Sequence, residues 1–267
     1  MTFTDQLNRR IEFNFPPKKI VSLVPSQSEL LWDLNLKDEL IGITKFCIHP
    51  EEMFTSVKRI GGTKTVKINE IKKLNPDLII ANKEENQQEQ IEELCTLFPV
   101  YISNIYDVSD ALQMIEQVGL ITNREKKSKQ IIYSISEKYA EFKTQNLKIE
   151  IQKKAAYLIW KKPYMAAGSN TFINSILQNC GFVNVFEGDN NRYPEINIED
   201  LKVQNPDLVF LSSEPYPFKE KHIQELQAHL PQTKILLVDG EMFSWYGSRL
   251  LYAFDYFKSL LKINNLV

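Results

Sequence analysis

Tryptophan and tyrosine recur in this chain beside lysine, arginine and glutamate, a mixture suited to holding a flat apolar molecule by its faces and its polar edges. The aromatic members are Trp160, Tyr164, Tyr193, Tyr216, Phe218, Phe243, Trp245 and Tyr246, and the charged ones are Lys45, Lys83, Lys161, Glu214 and Arg249. Ser26 and Phe46 lie on segments of the same kind. Rings of this type bury much area at low entropic cost, while the charges orient what they hold. The competing reading of any one ring is plain core packing, so the cluster informs more than its members. A second chemistry lies in Cys47 and His49, two positions apart, with Glu241 and also Glu84, Glu85 and Asp239 on other loops. A thiolate, an imidazole and a carboxylate suit a borderline metal such as Zn²⁺. Cys-x-His alone is a weak pattern, and His49 reads first as a loop histidine that bonds backbone or touches a ligand edge. The other histidines, His222 and His229, are expected in solvent on a polar helix. Catalysis is not expected: the chain has no Gly-rich phosphate loop, no Gly-x-Ser-x-Gly elbow and no His-Glu-x-x-His helix.

These residues need elements to place them. The segment Ile68–Glu84 returns 130 positions later as Ile198–Glu214, with seven of seventeen positions identical. Each copy reads as a short polar helix, an Asn-Pro-Asp turn and an apolar strand. That period is too long for a solenoid and implies duplicated domains. Strands are expected at 19–24, 39–44, 78–81, 100–103, 155–160, 208–211 and 234–238, alternating with helices, the pattern of parallel sheets with covered faces. Ser26 followed by Glu29 has the spacing of a capping box, which predicts a helix starting at Ser26. From 108 to 148 the chain reads as a helix, a break near Thr122-Asn123, and a long charged helix with Ile131, Ile135, Tyr139 and Phe142 on one face. The expectation is an α/β fold of two lobes with parallel sheets flanked by helices, joined by a long interlobe helix. Its parts are an N-terminal lobe 1–105, a helical linker 106–151 and a C-terminal lobe 152–267. Such a helix should restrict hinge motion, and the ligand residues above should line an interlobe crevice from the carboxyl ends of the strands.

Bulk properties exclude other classes. With 32 Lys+Arg against 34 Asp+Glu and no basic stripe, nucleic acid is not a partner to expect. No stretch approaches the ~20 apolar residues that span a bilayer. Cys47, Cys95 and Cys180 lack CxxC spacing, so isolated packed thiols are expected. The first ten residues carry no secretory signal. A periplasmic or membrane-anchored location is expected if a leader was removed, and a cytoplasmic one if Met1 is the natural start.

The Ile-Val-Ser-Leu-Val-Pro-Ser-Gln-Ser-Glu corner at 20–29, Arg-Ile-Gly-Gly-Thr at 59–63, both Asn-Pro-Asp-Leu turns and Ala-Gly-Ser-Asn-Thr-Phe at 167–172 occur in an order that resembles the helical-backbone substrate-binding proteins of ABC importers. Within these the cobalamin- and iron-siderophore-binding types are most alike. The resemblance implies a monomeric, bilobed, non-catalytic protein that captures a metal chelate and presents it to a membrane permease. It also implies docking carboxylates, one per lobe. Glu199 matches in the second lobe, whereas in the first the position falls on Asn69 with Glu70 beside it. An asparagine there would weaken docking to permease arginines unless Glu70 substitutes. Glu70, Glu199 and Asp200 can equally serve only to favour the N-terminal ends of their helices.

Overall fold

The repeated turn makes the same structure twice, for the same reasons. In the computed structural model, which describes residues 1–146 and 153–266, helices Ile68–Leu74 and Ile198–Gln204 both end on a left-handed asparagine, Asn75 at φ 48° and Asn205 at φ 46°. Asparagine enters this region more readily than most residues, and the proline after it cannot continue a helix. The aspartate then clamps the neighbouring strand. Asp77 Oδ2 accepts from the backbone N–H groups of Lys18 (2.9 Å) and Lys19 (3.0 Å), and Asp207 Oδ2 from that of Lys154 (2.7 Å). With both strand starts pinned, Leu78 pairs in parallel with Ile20 and Leu208 with Ala155.

The first sheet has five parallel strands in the order Lys58–Arg59, Leu40–Ile43, Ile20–Ser22, Leu78–Asn82, Val100–Ser103. Its three strands from Ile20–Ser22 to Val100–Ser103 are buried at every position, as a sheet covered on both faces requires. Val21, Leu23, Ile79 and Ala81 meet Ile71, Ile91 and Leu94 from the helices in one core. The edge at Val100–Ser103 is covered in a way the sequence did not suggest. Residues Thr2–Thr4 and Arg10–Glu12 form a small antiparallel hairpin, and its turn satisfies the edge with side chains. Ile102 N–H donates to Asp5 Oδ2 (3.3 Å) and Asn104 N–H to Gln6 Oε1 (2.9 Å), while Arg9 reaches Val100 O (2.8 Å) and Cys95 Sγ (3.1 Å). An unpaired edge is thereby closed without another strand.

The second sheet has six strands. Glu195–Ile196, Tyr164–Ala166, Lys154–Trp160, Leu208–Ser212 and Lys234–Val238 follow in that order, and Val183–Asn184 pairs with the start of Lys154–Trp160. Its core pairings are parallel, and the two hairpin-side pairings are antiparallel. Between the sheets in sequence run helices Val108–Ile121 and Glu125–Asn146, separated by a turn in which Asn123 takes φ 58°. Gly119 permits their close approach, since a Cβ there would run into the Ser128 side chain. Ile131, Ile135 and Phe142 are buried on the face anticipated from their spacing. The expected end of the helical stretch at 148 and of the linker at 151 lie outside the described residues.

The fold is thus mixed α/β, with parallel sheets flanked by helices. The chain forms two compact units, one of Met1–Ile105, Ser109–Ser136 and Trp245–Leu251, the other of Tyr106–Val108, Glu137–Ser244 and Tyr252–Val267. Helix Glu125–Asn146 starts in the first and finishes in the second. No helix among the described residues is long and apolar enough to cross a membrane.

One local expectation needs correction. The capping box at Ser26 does not form: helix Pro25–Asp33 starts one residue earlier, after Val24, with no side-chain cap, and Glu29 is drawn to a distant arginine instead. The thiols are free, Cys47 and Cys180 buried and Cys95 half-buried. Burial pushes the Cys47 and Cys180 thiols up from their ordinary pKa.

The shared turn yields a direct test. Alanine lacks the polar side chain that eases the left-handed conformation, so Asn205→Ala should cost about 1–2 kcal/mol in urea unfolding, whereas Asn205→Gly should cost little. Equal losses for both variants would show that the backbone conformation is not what the asparagine supplies.

Candidate functional site

In each unit the chemistry-bearing side chains gather where parallel strands end. In the first unit, strand Ile20–Ser22 leads into helix Pro25–Asp33 and strand Leu40–Ile43 into Lys45–His49. Lys45 Nζ lies 4.9 Å from the centre of the Phe46 ring, and both side chains are exposed. Beyond strand Leu78–Asn82, Asn82 Oδ1 accepts from the N–H groups of Glu84 (2.8 Å) and Glu85 (3.0 Å), which fixes the loop that carries the exposed Lys83.

The segment Trp245–Leu251 completes this face. Arg249 grips Glu29 with two donors, Nη2 to Oε1 at 2.6 Å and Nε to Oε2 at 3.0 Å, and both side chains are 11% exposed. The guanidinium lies 4.8 Å from the centre of the Trp245 ring, and the indole meets His49 edge-on at 5.7 Å. Gly247 makes the segment fit, because a Cβ there would come 2.6 Å from Ser26 O. Burial pushes the Glu29 carboxyl up, and the Arg249 charge opposes that rise. Ser26, Trp245 and Tyr246 are themselves buried.

The second unit offers a different aromatic group. Trp160, 39% exposed at the end of strand Lys154–Trp160, meets Tyr216 edge-on at 5.6 Å. Tyr216 in turn contacts Phe218 at 4.8 Å and His222 at 5.6 Å. Lys161 is ion-paired with Glu225, and its charge partly offsets the rise that burial causes in the pKa of Tyr164. Glu214 accepts from Ser244 Oγ at 3.0 Å, and Tyr193 is half-buried on a separate loop, its N–H donating to Asn191 Oδ1 at 3.1 Å. Phe243, expected among the ligand aromatics, is fully buried between Tyr157 (5.0 Å) and Phe257 (4.8 Å) and belongs to the core.

The metal alternative is not assembled. Among the described residues no group of three or more His, Cys, Asp or Glu side chains is placed to hold a metal ion. Cys47 Sγ is buried between Ser28 Oγ (3.1 Å) and Thr44 Oγ1 (3.2 Å), while His49 faces Trp245. The N–H of Glu241 donates to Asp239 Oδ1 at 3.0 Å in a helix start. The two helix-borne acids differ sharply. Glu70 is 27% exposed and held by Lys73 (2.7 Å) and Lys58 (3.2 Å), which lower its pKa in that order, whereas Glu199 is 76% exposed with Lys202 at 2.8 Å. Asp200 closes a capping box with Asn197, so it serves its own helix.

His222 is another residue that sequence reasoning misplaced, since it was expected in solvent. It is 2% exposed, and its Nδ1 accepts from the Lys219 N–H at 2.8 Å at the start of helix Glu220–Gln227. Burial first, and the Lys161 charge second, lower its pKa. The folded protein therefore binds this proton less readily than the unfolded chain. Its contribution to stability is complete above the ordinary value of about 6.5 and is lost as pH falls below it. His222→Asn, which keeps an acceptor but does not titrate, should flatten the dependence of the urea midpoint on pH between about 7 and 5. An unchanged slope in the variant would assign the dependence to other groups.

Comparison with known proteins agrees with the motifs. A family model described as periplasmic binding protein matches residues 20–235. The vitamin B12-binding protein of Vibrio cholerae serotype O1 is 24% identical over 199 residues, covering 74% of this chain and 71% of the relative. An uncharacterized ABC transporter substrate-binding lipoprotein of Bacillus subtilis is 24% identical over 216 residues, covering 78% and 68%. Among solved structures, the periplasmic vitamin B12-binding protein of Vibrio cholerae superposes with a TM-score of 0.81 at 22% identity over 94% of this chain and 99% of that one. The periplasmic heme-binding protein HutB of the same organism gives 0.75 at 19% identity over 91% and 98%. These structural likenesses establish the fold, and the relatives are binding proteins, not enzymes. By the match across residues 20–235, this chain belongs to the periplasmic binding protein family.

Proposed function

We propose that the chain captures a macrocyclic metal chelate, a corrinoid in the first instance, and presents it to the permease of an ABC importer. The observation that carries this reading is the indole in each unit, Trp160 beside Tyr216 at the end of strand Lys154–Trp160, and Trp245 between His49 and the Arg249 guanidinium. Indoles beside polar and charged groups suit a large plate with polar substituents better than a sugar, an amino acid or a bare ion. The names of the relatives point the same way, toward vitamin B12 in one and heme in another. Ser26, Lys45, Phe46, His49 and Lys83 are the contacts proposed for the first unit. Those of the second are Tyr164, Tyr193, Glu214 and Tyr216. Glu199 is proposed as the docking carboxylate of the second unit, and Glu70, though engaged by two lysines, as that of the first.

Calorimetry with cyanocobalamin, cobinamide, hemin and a ferric hydroxamate siderophore tests the assignment. Cyanocobalamin should bind at one site and quench tryptophan fluorescence. Trp160→Ala should weaken it by about 2 kcal/mol with little change in melting temperature, because the ring is already part-exposed. Heat with hemin alone would move the ligand to a porphyrin, and no heat with any of the four would overturn the chelate reading.

A further inference from the structure

The charged pair buried in the first unit has an arrangement that plain stabilisation does not require. Glu29 sits on the first helix after strand Ile20–Ser22, and Arg249 on the segment Trp245–Leu251, 220 positions away in sequence. Both carboxylate oxygens are used, at 2.6 and 3.0 Å, so the guanidinium is fixed in rotation as well as in position. The guanidinium carbon lies 4.8 Å from the Trp245 ring centre, and the indole meets the His49 ring edge-on at 5.7 Å. The backbone between Trp245 and Arg249 is held by Gly247, which has no room for a side chain above Ser26 O. The indole is thus set by a short series of contacts that Glu29 anchors through Arg249.

We propose that Glu29 is a positioning residue for ligand capture: by gripping Arg249 with both oxygens it fixes the Trp245 indole against His49 before the chelate arrives. The inference rests on the reading that Trp245 touches the bound chelate. Its energetic logic is preorganisation, since a ring already ordered in the free protein loses less rotamer entropy on binding. A buried ion pair is a weak source of net stability, because desolvation of two charges offsets most of their attraction. Its directional hydrogen bonds nevertheless specify one geometry. Glu29→Gln keeps the size of the side chain and one acceptor but loses the fork, and Arg249→Lys keeps the charge but loses the plane.

The test has two arms. In the free protein, with Trp32→Phe and Trp160→Phe leaving Trp245 as the sole tryptophan, Glu29→Gln should raise acrylamide quenching of Trp245 emission. Arg249→Lys should do the same. In the chain with its native tryptophans, Glu29→Gln should weaken cyanocobalamin binding about tenfold, the scale of one charged hydrogen bond, and should have almost no further effect once Trp245→Ala is present. Equal losses with and without Trp245 would make Glu29 a merely structural residue and overturn the proposal. Unchanged quenching in both variants would overturn it as well. If the wild-type chain binds none of cyanocobalamin, hemin or the ferric siderophore, the functional reading fails and the role in capture fails with it. The quenching arm still shows in that case whether Glu29 orders the indole.

Discussion

Two aspartates decide where the central strands of both sheets begin. Asp77 and Asp207 hold the N–H groups at the entrance of the adjoining strand, and each is delivered there by a left-handed asparagine and a proline that end the helix before it. A slip of one residue would turn every side chain of a strand to the opposite face, so the clamp also sets which residues enter the core. The loops at the far ends of these strands inherit that register. Trp160 and Ser26 reach the positions they occupy because Lys154 and Lys19 are pinned at the other end.

The two units use the frame differently. In the first, the polar groups at the strand ends are spent on one another: Asn82 and Asn86 hold a loop, Ser28 and Thr44 hold a thiol, and Glu29 holds Arg249. Ordering is bought with hydrogen bonds, and the exposed chemistry is left to Lys45, Phe46 and Lys83. In the second, rings do the same work. Tyr216 leans on Trp160, Phe218 and His222, and the histidine gains its place by capping a helix. Rings fix one another without spending polar groups, which leaves Trp160 part-exposed with its neighbours already set.

What could be read from the sequence was whatever local pattern decides. Strands Val100–Ser103 and Lys234–Val238 match their expected bounds because short apolar runs between turn residues have little choice. The break at Asn123 and the buried face of helix Glu125–Asn146 followed from composition and spacing in the same way. The failures were long-range. Ser26 and Glu29 have the spacing of a capping box, but a guanidinium 220 positions away competes for the carboxylate. The hairpin of residues 2–12 is short and polar, and its purpose, closing the Val100–Ser103 edge, is visible only once that edge exists. His222 sits on a helix whose charged sequence spoke for solvent, and only the rings of Tyr216 and Phe218 explain its burial. The aromatic composition of the site was legible; which rings face outward was not, as Phe243 shows.

The unequal burial of the three thiols has a chemical consequence. Cys47 and Cys180 are enclosed and their protons are held more tightly than usual, so both are poor nucleophiles toward a bulky electrophile. Cys95 is reached by solvent and sits beside the Arg9 guanidinium, on the helix before strand Val100–Ser103. Folding has sorted three identical groups into two silent ones and one addressable one. Of these three thiols, Cys95 is thereby the one that a spectroscopic label would reach first.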